Sequence, residues 1–310
     1  MDLNRYAFTD AALYLVIDLF GGPDAECYPV RYSTVPPDLN DDTCRTTELW
    51  FRLVQPDTFM MGSPPCELGH RSDETLHMVT LTKPFYMGVF QVTQKQYELV
   101  TGEANPSKYK GDTRPVGHVS YSMIRGGEDG TQWPTHNLVD AASFFGKLRA
   151  KTSLTADLPT EAQWEYACRA GTRTALNSGK DLTGEDQCPN MTEVGRYFWN
   201  MGDGKGGYSD RNTKGGMYLP NAWGLYDMHG NVWEWCLDGY QENLGQDEVT
   251  DPKGAATAQR RVLRGGGYFY SASYCRAACR NYDDPDGMYH NCGFRACVLP
   301  AEEKFMVAAF

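Results

Sequence analysis

Five tyrosines, Tyr268, Tyr270, Tyr274, Tyr282 and Tyr289, crowd one stretch near the end of the sequence, where no Lys, Glu, Gln or Trp stands between Tyr268 and Cys292. Interleaved with them are Phe269, Ser271, Ser273, Asn281, Asp283, Asp284, Asp286, His290 and Asn291. These types suit recognition rather than reaction. Tyrosine gives a large amphipathic contact at low entropy cost, while Ser, Asn and Asp give adaptable hydrogen bonds. No helical or strand period runs through the stretch, so a packed core is a poor account of it. The bland alternative is a polar loop region carrying tyrosines by chance. Arg264-Gly265-Gly266 precedes the stretch and Gly293-Phe294-Arg295 follows it, both of scaffold type.

Other residues with reactive chemistry are scattered. The ten cysteines show no CxxC and no paired metal spacing, which leaves buried free thiols, with Cys27 and Cys44 as the pair to test for a bridge. The six histidines lack zinc-protease spacing. Gly202-x-Gly204-x-x-Gly207 matches a dinucleotide fingerprint in letters only, since it neither follows a strand nor opens a helix. No nucleophile elbow supports a Ser-His-Asp hydrolase.

The elements that must position the tyrosine-rich stretch belong to an ordinary folded chain of 310 residues, with 41% apolar and 22% charged residues. The 32 glycines favour turns over long helices. A formal charge of −11 argues against nucleic acid and against docking on anionic membranes. Ala11 to Phe20 is apolar but short and broken by Asp18, so it reads as neither a secretory signal nor a membrane span, and no membrane insertion of this chain is expected.

Residues 1–47 read as an N-terminal extension packed on a main domain of 48–310. Within the first of these, AALYLVIDLF is a strand or a short helix. Strands are expected at Phe51 to Val54, Phe59 to Gly62, Met78 to Leu81 and Phe85 to Val92. Thr93 and Thr160 each cap a helix, with Gln96 and Gln163 three residues on completing capping boxes. Val139, Ala142, Phe145 and Leu148 place a further helix over Leu138 to Lys151. Residues 172–222 read as irregular, and Gly224 to Trp235 as a turn feeding a short strand.

Several motifs in order, Phe59-Met60-Met61-Gly62, Val92-Thr93, Arg114-Pro115-Val116, Leu158 to Ala167 (LPTEAQWEYA), Gly230 to Trp235 (GNVWEW), Arg264-Gly265-Gly266 and Gly293-Phe294-Arg295, resemble the formylglycine-generating-enzyme (sulfatase-modifying factor) family over about residues 50–298. The resemblance implies an α+β, C-type-lectin-like fold of small twisted antiparallel sheets, two or three helices and much irregular chain. In that family the oxidase holds copper with two cysteines between RGG and GFR. The second falls on Cys275, but the first falls on Tyr270, whose phenol is a poor ligand for Cu(I). Neither the oxidase activity nor copper is therefore expected.

A second branch fits better. The sequence resembles the variable proteins of diversity-generating retroelements, of the treponemal variable lipoprotein type, in which AAY codons near the 3′ end are randomised. Such codons can yield Asn, Tyr, Ser, Asp, His, Gly, Cys and Phe but not Lys, Glu, Gln, Trp or Met, which matches the stretch apart from Met288. The resemblance implies a ligand-binding protein with a variable region of about 264–295 and contacts through Tyr268, Phe269, Tyr270, Ser271, Ser273, Tyr274, Asn281, Tyr282, Asp283, Asp284, Asp286, Tyr289, His290 and Asn291. Its ligand would be a macromolecule, a protein before others, and its location the cell surface or another extracytoplasmic site. The family's calcium loop falls on Asp227 to Glu234, implying carboxylate oxygens from Asp227 and Glu234 and backbone carbonyls from Gly230 and Val232. The bland alternative there is a Gly-Asn turn. Two further functions stay open: a copper-dependent formylglycine-generating oxidase using Cys275, and a calcium-containing glycan-binding module.

Overall fold

A computed structural model describes residues 13–201 and 211–300. The Gly202-x-Gly204-x-x-Gly207 motif lies outside the described residues. The largest sheet has six strands, all antiparallel, in the order Val30–Ser33, Tyr14–Asp18, Glu48–Val54, Phe85–Gly88, Cys297–Leu299 and Thr155–Asp157. AALYLVIDLF thus supplies a strand. The boundary expected at residue 47 falls inside this sheet, because Tyr14–Asp18 pairs along its whole length with Glu48–Val54.

A four-stranded sheet carries the tyrosine-rich stretch, in the order Arg280–Asp283, Arg261–Arg264, Trp233–Gly239 and Cys292–Phe294. Its last pairing is parallel. The two sheets are tied at Arg295 and Ala296, where Gly88 N–H donates to Ala296 O at 2.8 Å. Phe294 then fills the core between Phe144 and Phe145, with ring centroids 4.9 and 5.9 Å away. Thr58–Met61, His77–Thr80 and Val249–Thr250 form a three-stranded sheet, and Gly195–Arg196 with His229–Gly230 a two-stranded one.

Both capping boxes form, opening the helices Gln94–Thr101 and Glu161–Arg169. Three expected boundaries move. The helix drawn over Leu138 to Lys151 begins only at Phe144, because Ser143 caps it by accepting from Gly146 N–H. Asp140 is spent outside the helix, accepting from the Glu128 and Asp129 amides at 3.1 and 2.8 Å. The strand expected to run to Val92 stops at Gly88, where the chain turns to feed the Gln94–Thr101 helix. The irregular 172–222 segment contains a short helix, Pro189–Val194.

Cys27 and Cys44 are both free thiols, the first exposed and the second buried. Among the described residues no helix is long and apolar enough to cross a membrane.

Candidate functional site

The tyrosine-rich stretch is a ribbon of backbone held by main-chain hydrogen bonds and by arginines, and not by the side chains of the candidate contact residues. It leaves the wholly buried Arg261–Arg264 strand through Gly265 and Gly266, with φ of 92° and 75°. A Cβ on Gly266 would sit 2.5 Å from Cys275 Sγ and 2.7 Å from Tyr274 O, so only glycine lets the chain fold back on itself there. Main-chain hydrogen bonds then pin it to distant segments. Tyr268 N–H donates to Asn231 O, Ala272 N–H to Asp186 O, and Ser273 N–H to Glu185 O. In return Phe198 N–H donates to Tyr270 O, Ser122 N–H to Pro285 O, His118 N–H to Tyr289 O, and Trp233 N–H to Asn291 O.

Four buried arginines complete the frame. Arg264 binds Glu165 and the carbonyls of Ala277, Ala278 and Cys279. Arg276 donates to Glu67 and to both oxygens of Glu74, at 2.7 to 2.8 Å. Arg280 grips Glu161 at 2.6 and 2.9 Å, and Arg295 grips Glu234 at 2.8 and 3.0 Å. His229, fully buried, holds Cys275 O through Nδ1 at 2.6 Å and accepts from Asn177 N–H at 3.0 Å.

On this frame the candidate side chains divide. Phe269, Tyr274 and Tyr289 are 51%, 39% and 47% exposed. Asp284, Asp286 and His290 are also exposed, while Tyr270, Ser271, Ser273, Asn281, Tyr282, Asp283 and Asn291 are half-buried. Tyr268 is a correction. It is 3% exposed, because the double-glycine turn carries it beneath the surface and the Tyr109 ring closes edge-on over it at 6.0 Å. It packs and does not present a contact.

The contacts form two patches. Phe269, Tyr270 and Tyr274 make one, with Tyr270 edge-on to Trp233 at 5.5 Å and 5.4 Å from Tyr274. Asp283 to His290 makes the other, where His290 stacks on His118 at 4.8 Å and its imidazole pKa is lowered by partial burial and by that neighbour. Tyr282 lies against Tyr240, centroids 4.0 Å apart, beneath the Arg260 guanidinium.

Residues that the sequence did not single out stand beside them. Phe198 adjoins both Phe269 and Trp199, the latter 49% exposed, and Arg211 lies over the Phe269 ring at 5.4 Å. Arg71 reaches the Tyr274 ring at 5.8 Å. A cleft of about 500 Å³ runs between Ser273 and Tyr274 on one side and Pro65 to Arg71 and Glu185 on the other. Only the run Tyr197-Phe198-Trp199 in the irregular segment could have signalled this wall.

The Asp227 to Glu234 loop, to which the resemblance assigns calcium, gathers its oxygens around one further residue, Gln91. Four oxygens, Asp227 O, Gly230 O, Val232 O and Glu234 Oε1, converge on Gln91 Nε2 at 3.4, 3.3, 2.9 and 2.9 Å. Asp227 brings its carbonyl to Gln91, while its carboxylate accepts from Gly216 N–H through Oδ2 at 2.7 Å. Burial pushes the Asp227 carboxyl up to about 6. Gln91 Oε1 and Asp227 Oδ1 are buried without a partner among the described residues. Three carbonyls, a carboxylate and an amide that can be turned to present its oxygen are a donor set that fits a hard cation. All of it is buried, beyond the reach of a glycan.

Cys275 is fully buried, and burial pushes its thiol well above the ordinary cysteine range. All ten cysteines are free.

A model of the sulfatase-modifying factor enzyme 1-like domain matches residues 39–299. Formylglycine-generating enzyme from Mus musculus is 34% identical over 151 residues, 46% of this chain and 38% of that protein. The enzyme of Streptomyces coelicolor is 38% identical over 156 residues, 47% of each chain. The chain thus spans less than half the length of these curated relatives. Among solved structures, Treponema denticola variable protein 1 superposes with a TM-score of 0.64 at 24% identity, over 82% of this chain and 96% of that one. PvdO from Pseudomonas aeruginosa gives the same TM-score and identity over 81% and 94%. At this identity the superpositions speak for the fold, which is the α+β lectin-like one that the motifs implied.

Proposed function

This chain belongs to the sulfatase-modifying factor enzyme 1-like domain family, and on that premise we propose that it is a ligand-binding receptor-type protein diversified by a retroelement, and not an oxidase. One observation carries the reading. The backbone of the tyrosine-rich stretch is fixed by main-chain hydrogen bonds and buried arginines, while of the candidate residues only Tyr268 is buried. Exchange of the others changes the surface and leaves the frame in place. Phe269, Tyr274 and Tyr289 serve as aromatic anchors, and Asp284, Asp286 and His290 tune the fit to a macromolecular, preferably protein, ligand. The protein acts at the cell surface or elsewhere outside the cytoplasm.

The oxidase reading draws on the identity with formylglycine-generating enzymes over less than half of the chain. Against it stands Tyr270, in the place of the first of the two cysteines that the resemblance requires. Sequencing the 3′ end of this gene across isolates tests the proposal. A nearby near-copy with AAY codons at the varying positions, and variation at Phe269, Tyr274 and Tyr289 with Tyr268 held, is expected. An invariant 3′ end without such a template would sink it.

We propose calcium as a structural ion held by Asp227 O, Gly230 O, Val232 O, Glu234 and the turned Gln91 amide. Raising calcium from chelated to roughly a hundredfold above its Kd is then expected to add about 2.7 kcal/mol of stability. An unchanged melting temperature together with no bound calcium by elemental analysis removes the ion from the account.

A further inference from the structure

Away from the tyrosine-rich face, a cavity of about 440 Å³ lies where the Trp233–Gly239 strand, the start of the Glu161–Arg169 helix and the 249–254 segment meet. Its size is that of a small-molecule site. Met61, Ala162, Leu244, Val249 and Pro252 give it apolar walls. Two buried polar side chains line it with one atom each left over. Asp238, 2% exposed, accepts from Glu161 N–H through Oδ2 at 2.8 Å, and no group among the described residues meets its Oδ1. His77, 4% exposed, faces Thr75 O through Nδ1 at 2.8 Å, which puts the neutral ring's proton on that nitrogen. Its Nε2 is then an acceptor, again without a partner among the described residues.

We propose that this cavity binds a small uncharged molecule of the amide type, a lactam, imide or primary amide, whose carbonyl accepts from Asp238 and whose N–H donates to His77. The charges around Asp238 exclude the other classes. Glu161 beside it is already neutralised by Arg280, with Arg264 3.7 Å away, so the cavity has no spare negative charge for an amine. Arg280 in turn gives four of its five N–H groups to Glu161, Asp73 O and Gln241 O and has its charge matched by Glu161, so it has none to give a carboxylate. The remaining cation on the wall, Lys253, is exposed.

Burial and the neighbouring Glu161 carboxylate raise the Asp238 pKa to about 8, against the Glu161 amide, Arg280 and Arg261, which favour its ionised form. The acid is therefore a hydrogen-bond donor at neutral pH and loses that capacity as pH rises through about 8. Arg280 on the same wall begins the Arg280–Asp283 strand, so the cavity lies directly behind one edge of the recognition face. Its ligand is nevertheless independent of the retroelement reading, because no residue of the variable set lines it.

The test uses the whole chain and saturation-transfer NMR with nicotinamide, uracil and 2-pyrrolidinone, beside acetate and propylamine as charged comparators. At about pH 7 at least one amide is expected to bind and both comparators to fail, with affinity falling more than about tenfold by about pH 9.5. Asp238→Asn keeps a donor of the same shape, so it is expected to retain binding and lose the pH dependence. His77→Phe is expected to weaken binding more than about tenfold, with circular dichroism confirming the fold. No amide signal with folded wild-type protein, equal binding of the comparators, or a pH profile unchanged by Asp238→Asn would each overturn the proposal.

Discussion

Arg264→Leu is expected to destabilise the chain by about 3–5 kcal/mol, the cost of removing one partner of a buried ion pair, while Tyr274→Ser, ten residues on, changes stability by less than about 0.5 kcal/mol. Both residues belong to the segment with receptor-like composition, and the difference lies in what each touches. Arg264 is wholly buried and satisfies three carbonyls of the 277–279 run, Ala277 O at 2.9 Å, Ala278 O at 2.8 Å and Cys279 O at 2.6 Å, besides Glu165. Glu165 keeps Gly62 N–H and Arg169 on Oε1, each at 2.8 Å, so loss of Arg264 strands its Oε2 together with the three carbonyls. Those carbonyls are the floor beneath the exposed tyrosines. Tyr274 rests on the rings and guanidinium around it and supports nothing below. Urea unfolding of the two variants measures the contrast. Comparable losses from both would mean that Tyr274 is core, and the recognition face would go with it.

Local chemistry was legible in the sequence where the partners sit close in the chain. Thr93 with Gln96 and Thr160 with Gln163 each close a box within one turn of helix, so their letters suffice. The helix from Phe144 shows the limit of periodicity. Leu138 to Lys151 carries apolar residues at helical spacing, but Asp140 accepts amides from 128 and 129, and the helix waits for the Ser143 cap. A side chain that bonds back to an earlier loop is invisible to a spacing argument.

The same limit governs the site. Composition marked 268–291 as a surface for recognition, and most of those side chains are reachable from solvent. It could not separate Tyr268 from Phe269, because burial there depends on Tyr109, far away in the chain. Arg276 reaching Glu74, Phe198 flanking Phe269 and Gln91 entering the Asp227 to Glu234 loop are contacts of the same long-range kind. Motif order gave the fold class, and only the folded chain gave the neighbours.

Acid is expected to loosen this frame at His229. The ring is fully buried, so burial lowers its pKa from 6.5 to about 4, against the hydrogen bond to Cys275 O, which favours the proton. A histidine held neutral contributes stability that is fully present above its unfolded pKa of 6.5. That contribution drains away as pH falls toward 4, because the unfolded chain takes up the proton first. The fall from 6.5 to about 4 corresponds to about 3 kcal/mol. Protonation also turns Nε2 from an acceptor for Asn177 N–H into a donor, so the ring and the Cys275 carbonyl it holds come under strain together. Cys275 closes the first patch of the recognition face, and ligand binding there should weaken over the same pH range. Asp227 and Asp238, with carboxyls raised to about 6 and about 8, act in the opposite sense, their stability lost as pH rises from the ordinary carboxylate range through those values. The wild-type pH curve is therefore a sum, and a difference isolates the imidazole. His229→Gln is expected to start less stable but to fall about 3 kcal/mol less between pH 6.5 and 4, in urea unfolding at each pH. Parallel curves for the two proteins would place the acid sensitivity elsewhere and leave His229 as packing alone.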